Sequence, residues 1–144
     1  MTAEAADRST SVSAVAAVVW FRRDLRLGNN PAWIAATRDH GEVMPLFILD
    51  PHLWRHAGPH RGPQLAAHLR ALDEQLQSRN GRLHVAHGTP QQVLTGLAPE
   101  TIYWNDDYSP YARRRDDSIA DALPNVNRFD GNVVHAPHSC LLYT

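Results

Sequence analysis

Residues Val15 to Phe21 read VAAVVWF, an apolar run with no polar break. A strand alternates its side chains between two faces, so such a run is buried on both. That demands a sheet covered on each side, which in practice means parallel strands with helices packed above and below. The same signature recurs. VMPLFILD (Val43 to Asp50) is a second buried strand, with Pro45 near its start where a strand tolerates it. RLHVAH (Arg82 to His87), TIYWN (Thr101 to Asn105) and VNRF (Val126 to Phe129) are the third, fourth and fifth.

Helical segments separate these runs. Asn30-Pro31 supplies an N-cap and a first-turn proline for a helix through about His40, ended by Gly41. After a loop from Pro51 to Gly62, Pro63 opens the clearest helix. Its Leu65, Leu69, Leu72 and Leu76 form one apolar stripe, and Asn80-Gly81 stops it. Thr89-Pro90 starts a short helix bearing Val93, Leu94 and Leu97, and Tyr111 to Leu123 is the last. Five strands alternating with four helices predict an α/β fold, a Rossmann-like doubly wound five-stranded parallel sheet with helices on both faces.

Composition excludes several function classes. The net charge is -1, so no global basic field draws the chain to nucleic acid or an anionic membrane. All 14 cationic side chains are arginine, which removes the P-loop lysine and any lysine Schiff base. The lone Cys140 precludes an internal disulfide and suits a cytoplasmic setting. Acidic Glu4 and Asp7 precede the first apolar run, unlike a signal peptide, and that run is too short to span a bilayer. Residues 1–13 are expected to form a disordered leader, 14–137 the α/β domain, and 138–144 the start of a truncated linker.

Ligands of open α/β sheets bind beyond the carboxyl ends of the strands, where strand order reverses. The loop after Phe21, RRDLRLGNNP, lacks the G-x-G-x-x-G and Walker patterns, so an ordinary dinucleotide site is disfavoured. By residue chemistry it reads first as a self-neutralising turn. After the second strand, Phe47 to Asp50 offer an aromatic wall and an acceptor carboxylate to a planar ligand, with Arg61 as donor. Asp50-Pro51 is also a plain turn initiator. The loop YWNDDYSPYARRRDD joins aromatics with Asp106 and Asp107, which suits a flat hydrogen-bonding heterocycle. Arg113, Arg114 and Arg115 cannot share one helix face, and at least one is expected to pair with Asp116 or Asp117 on the surface. His52, His56 and His60 have ligand spacing for a metal, but Gly58-Pro59 breaks the helix they would need. His135, His138 and Cys140 are an equally thin set. No metal site is therefore assigned, and no catalytic triad or carboxylate pair emerges.

Taken in order, VVWFRRDLRLGNNPA, PLFILDPHLW, HRGPQLAAHLRALDEQL, HGTPQQVL and YWNDDYSPYARRRD resemble successive segments of the DNA photolyase/cryptochrome family, over about Val15 to Pro137. The resemblance implies an N-terminal Rossmann-like domain that binds a light-harvesting antenna chromophore. It also implies a helical C-terminal domain, beyond these residues, that holds FAD and the DNA. Such a protein is a deoxyribodipyrimidine photo-lyase, a carbon-carbon lyase that repairs cyclobutane pyrimidine dimers by electron transfer from photoexcited flavin. This chain alone is expected to be inactive in repair. By the same resemblance the chromophore cleft uses Phe47, Ile48, Leu49, Asp50, Arg61 and Asp107, with Arg22 at its edge. That set resembles binders of 8-hydroxy-5-deazaflavin. Folate-binding members carry a glutamate where Ala112 stands here, so methenyltetrahydrofolate ranks second, with FMN also possible. Arg22 and Arg26 are expected to bond Asp24 and nearby carbonyls. Trp20, Trp33, Trp54 and Trp104 are expected in the core rather than in an electron relay. A contrasting reading is a standalone nucleotide- or chromophore-binding or light-signalling module without repair activity.

Overall fold

In a computed structural model of the chain, residues 15–55 and 57–130 are described. The strands are β1 (Ala17–Phe21), β2 (Met44–Leu49), β3 (His84–His87), β4 (Thr101–Asn105) and β5 (Val126–Phe129). The helices are α1 (Pro31–Asp39), α2 (Pro51–Trp54), α3 (Arg61–Gln77), α4 (Pro90–Leu97) and α5 (Pro110–Ala122). All four strand pairings are parallel, in the order β3-β2-β1-β4-β5. The sheet is thus doubly wound, as the apolar runs require, and strand order reverses between β1 and β4.

Alternation along β1 divides the core in two. Ala17, Val19 and Phe21 face α1 and α3, where they meet Ala32, Trp33, Leu72 and Leu76. Val18 and Trp20 face α4 and α5, packing with Leu46, Ile102, Trp104, Leu94 and Ile119. Each fully buried leucine or isoleucine contributes about 1.5–3 kcal/mol by leaving water, so both faces are needed to hold so small a domain.

The boundaries shift for identifiable reasons. β1 starts at Ala17 rather than Val15, yet the Val15 and Ala16 carbonyls still accept from the Glu100 and Thr101 amides. The segment read as an open loop contains α2, a single turn capped by Asp50, whose side chain accepts from the His52 amide. α3 begins at Arg61, before Pro63, because a first-turn residue has no intrahelical N–H partner to lose. Trp20, Trp33 and Trp104 are core residues, but Trp54 is 46% exposed on the outer turn of α2 and does not join them. Gly88 holds φ 145°, a conformation that favours glycine, as the chain leaves β3. The expected leader 1–13 and segment 138–144 lie outside the described residues, as do His56, His135, His138 and Cys140.

Asn30 fixes the first crossover. Its Oδ1 accepts from the Trp33 amide at 3.0 Å and from Asn105 Nδ2 at 2.8 Å. Its Nδ2 donates to the Arg26 carbonyl at 2.9 Å and, more weakly, to that of Asp24 at 3.4 Å. Asn105 Oδ1 in turn accepts from the Ala32 amide at 3.1 Å. One buried asparagine thereby caps α1, closes the loop after β1 and ties both to the end of β4.

Candidate functional site

Two adjoining hollows open at the carboxyl edge of the sheet, beside the point where strand order reverses. The larger, of about 400 Å³, lies between the ends of β1 and β2 and the start of α5. The smaller, of about 300 Å³, continues under α2 toward α3. Arg22, Phe47, Ile48, Asp50 and Arg61 line both; Asp107 lines only the larger and Leu49 only the smaller. The seven residues named from the sequence therefore surround one composite cleft. Phe47, Ile48 and Leu53 give it apolar walls, while Trp54 and Leu65 extend the smaller hollow.

The polar groups are less free than the sequence suggested. Asp50 is buried; its Oδ1 accepts from the His52 amide at 3.0 Å and its Oδ2 from the Tyr111 hydroxyl at 2.7 Å. The His52 ring stacks on Tyr111, with centroids 4.4 Å apart. Burial first, and then the bond to Asp50, push the Tyr111 phenol up to about 12. Asp107 pairs with Arg23 at 3.0 Å and accepts from the Ser109 amide at 3.2 Å. The exposed Arg61 guanidinium has no ion pair among the described residues and stands at the rim.

Arg22 departs from expectation. It follows Trp20 on the α5 side of the sheet, so its guanidinium reaches Asp116 and the Asn105 carbonyl rather than Asp24. Asp24 pairs instead with Arg26 at 3.7 Å, and Arg26 also donates to the Gly28 and Asn29 carbonyls. Asp116 is fully buried, not on the surface, and Arg115 completes the cluster at 3.0 Å. Burial lowers the Arg22 pKa while Asp116 opposes that shift. Arg22 and Arg115 both lie over the Trp20 ring, at 4.8 and 4.9 Å from its centroid. The Arg22 Nε is buried with no hydrogen-bond partner among the described residues.

Residue-by-residue reading did not single out Arg115 and Leu53 as cleft residues, and it placed Tyr111 only among the aromatics of the loop after β4. A signal existed for the buried cluster: Ala112, Asp116 and Ile119 follow helical steps of four and three, so Asp116 sits in the inward stripe of α5. Among the described residues no group of three or more His, Cys, Asp or Glu side chains is placed to hold a metal. No helix there is long and apolar enough to cross a membrane. Chemically, the cleft sets apolar walls from Phe47, Ile48 and Leu53 beside the polar groups of Asp50, Arg61 and Asp107.

Known proteins share this sequence pattern and fold. The sequence model of the DNA photolyase family matches residues 17–141, a range that takes in all five strands. The chain is 37% identical over 133 residues to a deoxyribodipyrimidine photo-lyase of Synechococcus, covering 85% of this chain and 27% of that protein. A bacterial class III photolyase from Agrobacterium tumefaciens superposes with a TM-score of 0.73 at 30% identity, over 92% of this chain and 29% of its own. An archaeal photolyase from Sulfolobus tokodaii, solved with two FAD molecules, gives 0.68 at 25% identity, over 81% and 29%. The chain thus spans less than a third of the length of these relatives. A doubly wound sheet with its cleft at the strand reversal, matched in sequence from the first strand past the last, places the chain in the DNA photolyase family, corresponding to its N-terminal α/β domain.

Proposed function

We propose that this chain is an antenna module whose cleft holds a flat, light-absorbing chromophore. The observation that carries this reading is the convergence of Asp50, Arg61 and Asp107 on one apolar-walled cleft of about 400 Å³. The donor set suits such a ligand. Phe47, Ile48 and Leu53 match the faces of a planar ring, and Asp50 and Arg61 match an edge that both donates and accepts hydrogen bonds. When bound, the chromophore would absorb light and pass the excitation on. The chain's own residues position the ring, exclude water from its faces and fix its polar edge.

Among chromophores, 8-hydroxy-5-deazaflavin is favoured over methenyltetrahydrofolate and FMN. Ala112 lines the cleft where the family's folate binders carry a glutamate, so folate loses its anchoring carboxylate. Light-driven repair of pyrimidine dimers is proposed for a full-length photolyase of which this chain forms the antenna part. In that setting FAD and DNA are handled outside these residues, and the chain alone does not repair. A cytoplasmic setting fits the single cysteine.

A titration of the purified chain with 8-hydroxy-5-deazaflavin, methenyltetrahydrofolate and FMN, followed by visible absorbance, tests the reading. The deazaflavin is expected to bind most tightly, with a shifted band. Unchanged spectra for all three ligands would overturn the antenna role and leave a module without a chromophore.

A further inference from the structure

The Asp50 carboxylate is already engaged from across the cleft. Tyr111, in the first turn of α5, donates to Asp50 Oδ2 at 2.7 Å, although the two residues stand 61 positions apart. Asp50 Oδ1 is held by the His52 amide at 3.0 Å, and the His52 ring stacks on Tyr111 at 4.4 Å. Arg115 lies over the same phenol ring at 5.5 Å. The Tyr111 hydroxyl therefore already holds the Asp50 oxygen that the polar edge of a ligand in this hollow would reach. Asp50 and Tyr111 both line the larger hollow.

We propose that Tyr111 determines specificity by competing with the ligand for Asp50, so that the cleft selects flat heterocycles carrying a ring N–H or O–H donor on the edge that enters first. This rests on the antenna reading and names the class of ligand edge the site takes. A donor-bearing ligand exchanges one hydrogen bond to Asp50 for another, at little net cost. An edge without a donor breaks the Tyr111 bond and leaves a buried carboxylate short of a partner, which is the expensive outcome. Removing the Tyr111 hydroxyl abolishes the competition, and a donor-bearing ligand then gains its bond to Asp50 outright.

The test compares lumiflavin, which has an imide N–H, with 3-methyllumiflavin, in which that donor is replaced by a methyl group. Binding to the unmodified chain and to Tyr111→Phe is followed by fluorescence titration. The unmodified chain is expected to prefer lumiflavin about tenfold, and Tyr111→Phe to bind lumiflavin about tenfold more tightly than the unmodified chain does. A purely structural tyrosine would not tighten binding on removal of its hydroxyl. Weaker or unchanged lumiflavin binding by a folded Tyr111→Phe overturns the exchange. So does equal affinity of the unmodified chain for the two ligands, a measurement that needs no variant. Absence of binding by either ligand to either protein, or binding without selectivity, overturns the exchange alone; the antenna reading falls only if the deazaflavin, folate and FMN titration also shows no binding.

Discussion

Arg22 and Asp116, 94 residues apart, meet at 2.5 Å beneath the cleft, with Arg22 Nη1 bonded to both carboxylate oxygens. The same guanidinium donates to the Asn105 carbonyl, so one side chain joins the ends of β1 and β4 to α5. Arg115 adds a second cation to the single buried carboxylate. Such a cluster is weak evidence for overall stability, because desolvating the charges costs much of what their attraction returns. Its partners are, however, strongly dependent on one another.

Asp116→Asn should therefore be severe. It leaves two mostly buried guanidinium groups without their common counter-charge, and breaking a buried pair in this way costs about 3–5 kcal/mol. Urea denaturation of the purified chain measures it. A loss under about 1 kcal/mol would mean that water reaches the cluster.

Asn30→Ala should cost about 2–3 kcal/mol. The change removes the N-cap of α1 and strands the Asn105 side-chain amide and two loop carbonyls that Asn30 now satisfies. Thermal or urea unfolding reads the loss, and retained stability would show that these groups find water instead.

Alkaline pH should weaken the Tyr111–Asp50 bond that spans the cleft. Burial and the bond to Asp50 raise the Tyr111 phenol from 10.0 to about 12. A group whose folded pKa is raised adds stability in full below its unfolded value, and that contribution fades as pH climbs from 10.0 to about 12. Stability measured from pH 9 to 12 should fall more steeply in the unmodified chain than in Tyr111→Phe. Identical slopes would show that the phenol ionises equally easily in the folded and unfolded chain.

The layered architecture was legible because uninterrupted apolar runs mark strands covered on both faces, and the leucine stripe of α3 carries period 3.6. The short α2 escaped notice: a four-residue helix has no repeat from which a period can be read. Phe47, Asp50, Arg61 and Asp107 are suggested by residue chemistry at the strand ends and gathered into one set only by the family resemblance; the fold places all four on one cleft. Their hydrogen-bond states were not legible. Nothing local to Asp50 indicates that Tyr111 closes it, and nothing local to Arg22 prefers Asp116 over the nearer Asp24.

Local periodicity, capping residues and turn chemistry act over a few positions, so they suffice to define strands, helices and the two-sided burial of the sheet. Partner choice among charged and hydroxyl groups depends on which strand ends lie side by side and which helix faces inward. The order β3-β2-β1-β4-β5 sets both, and it brings Arg22 to Asp116 and Asp50 to Tyr111 only once the chain has crossed back over β1 to begin the second half of the sheet.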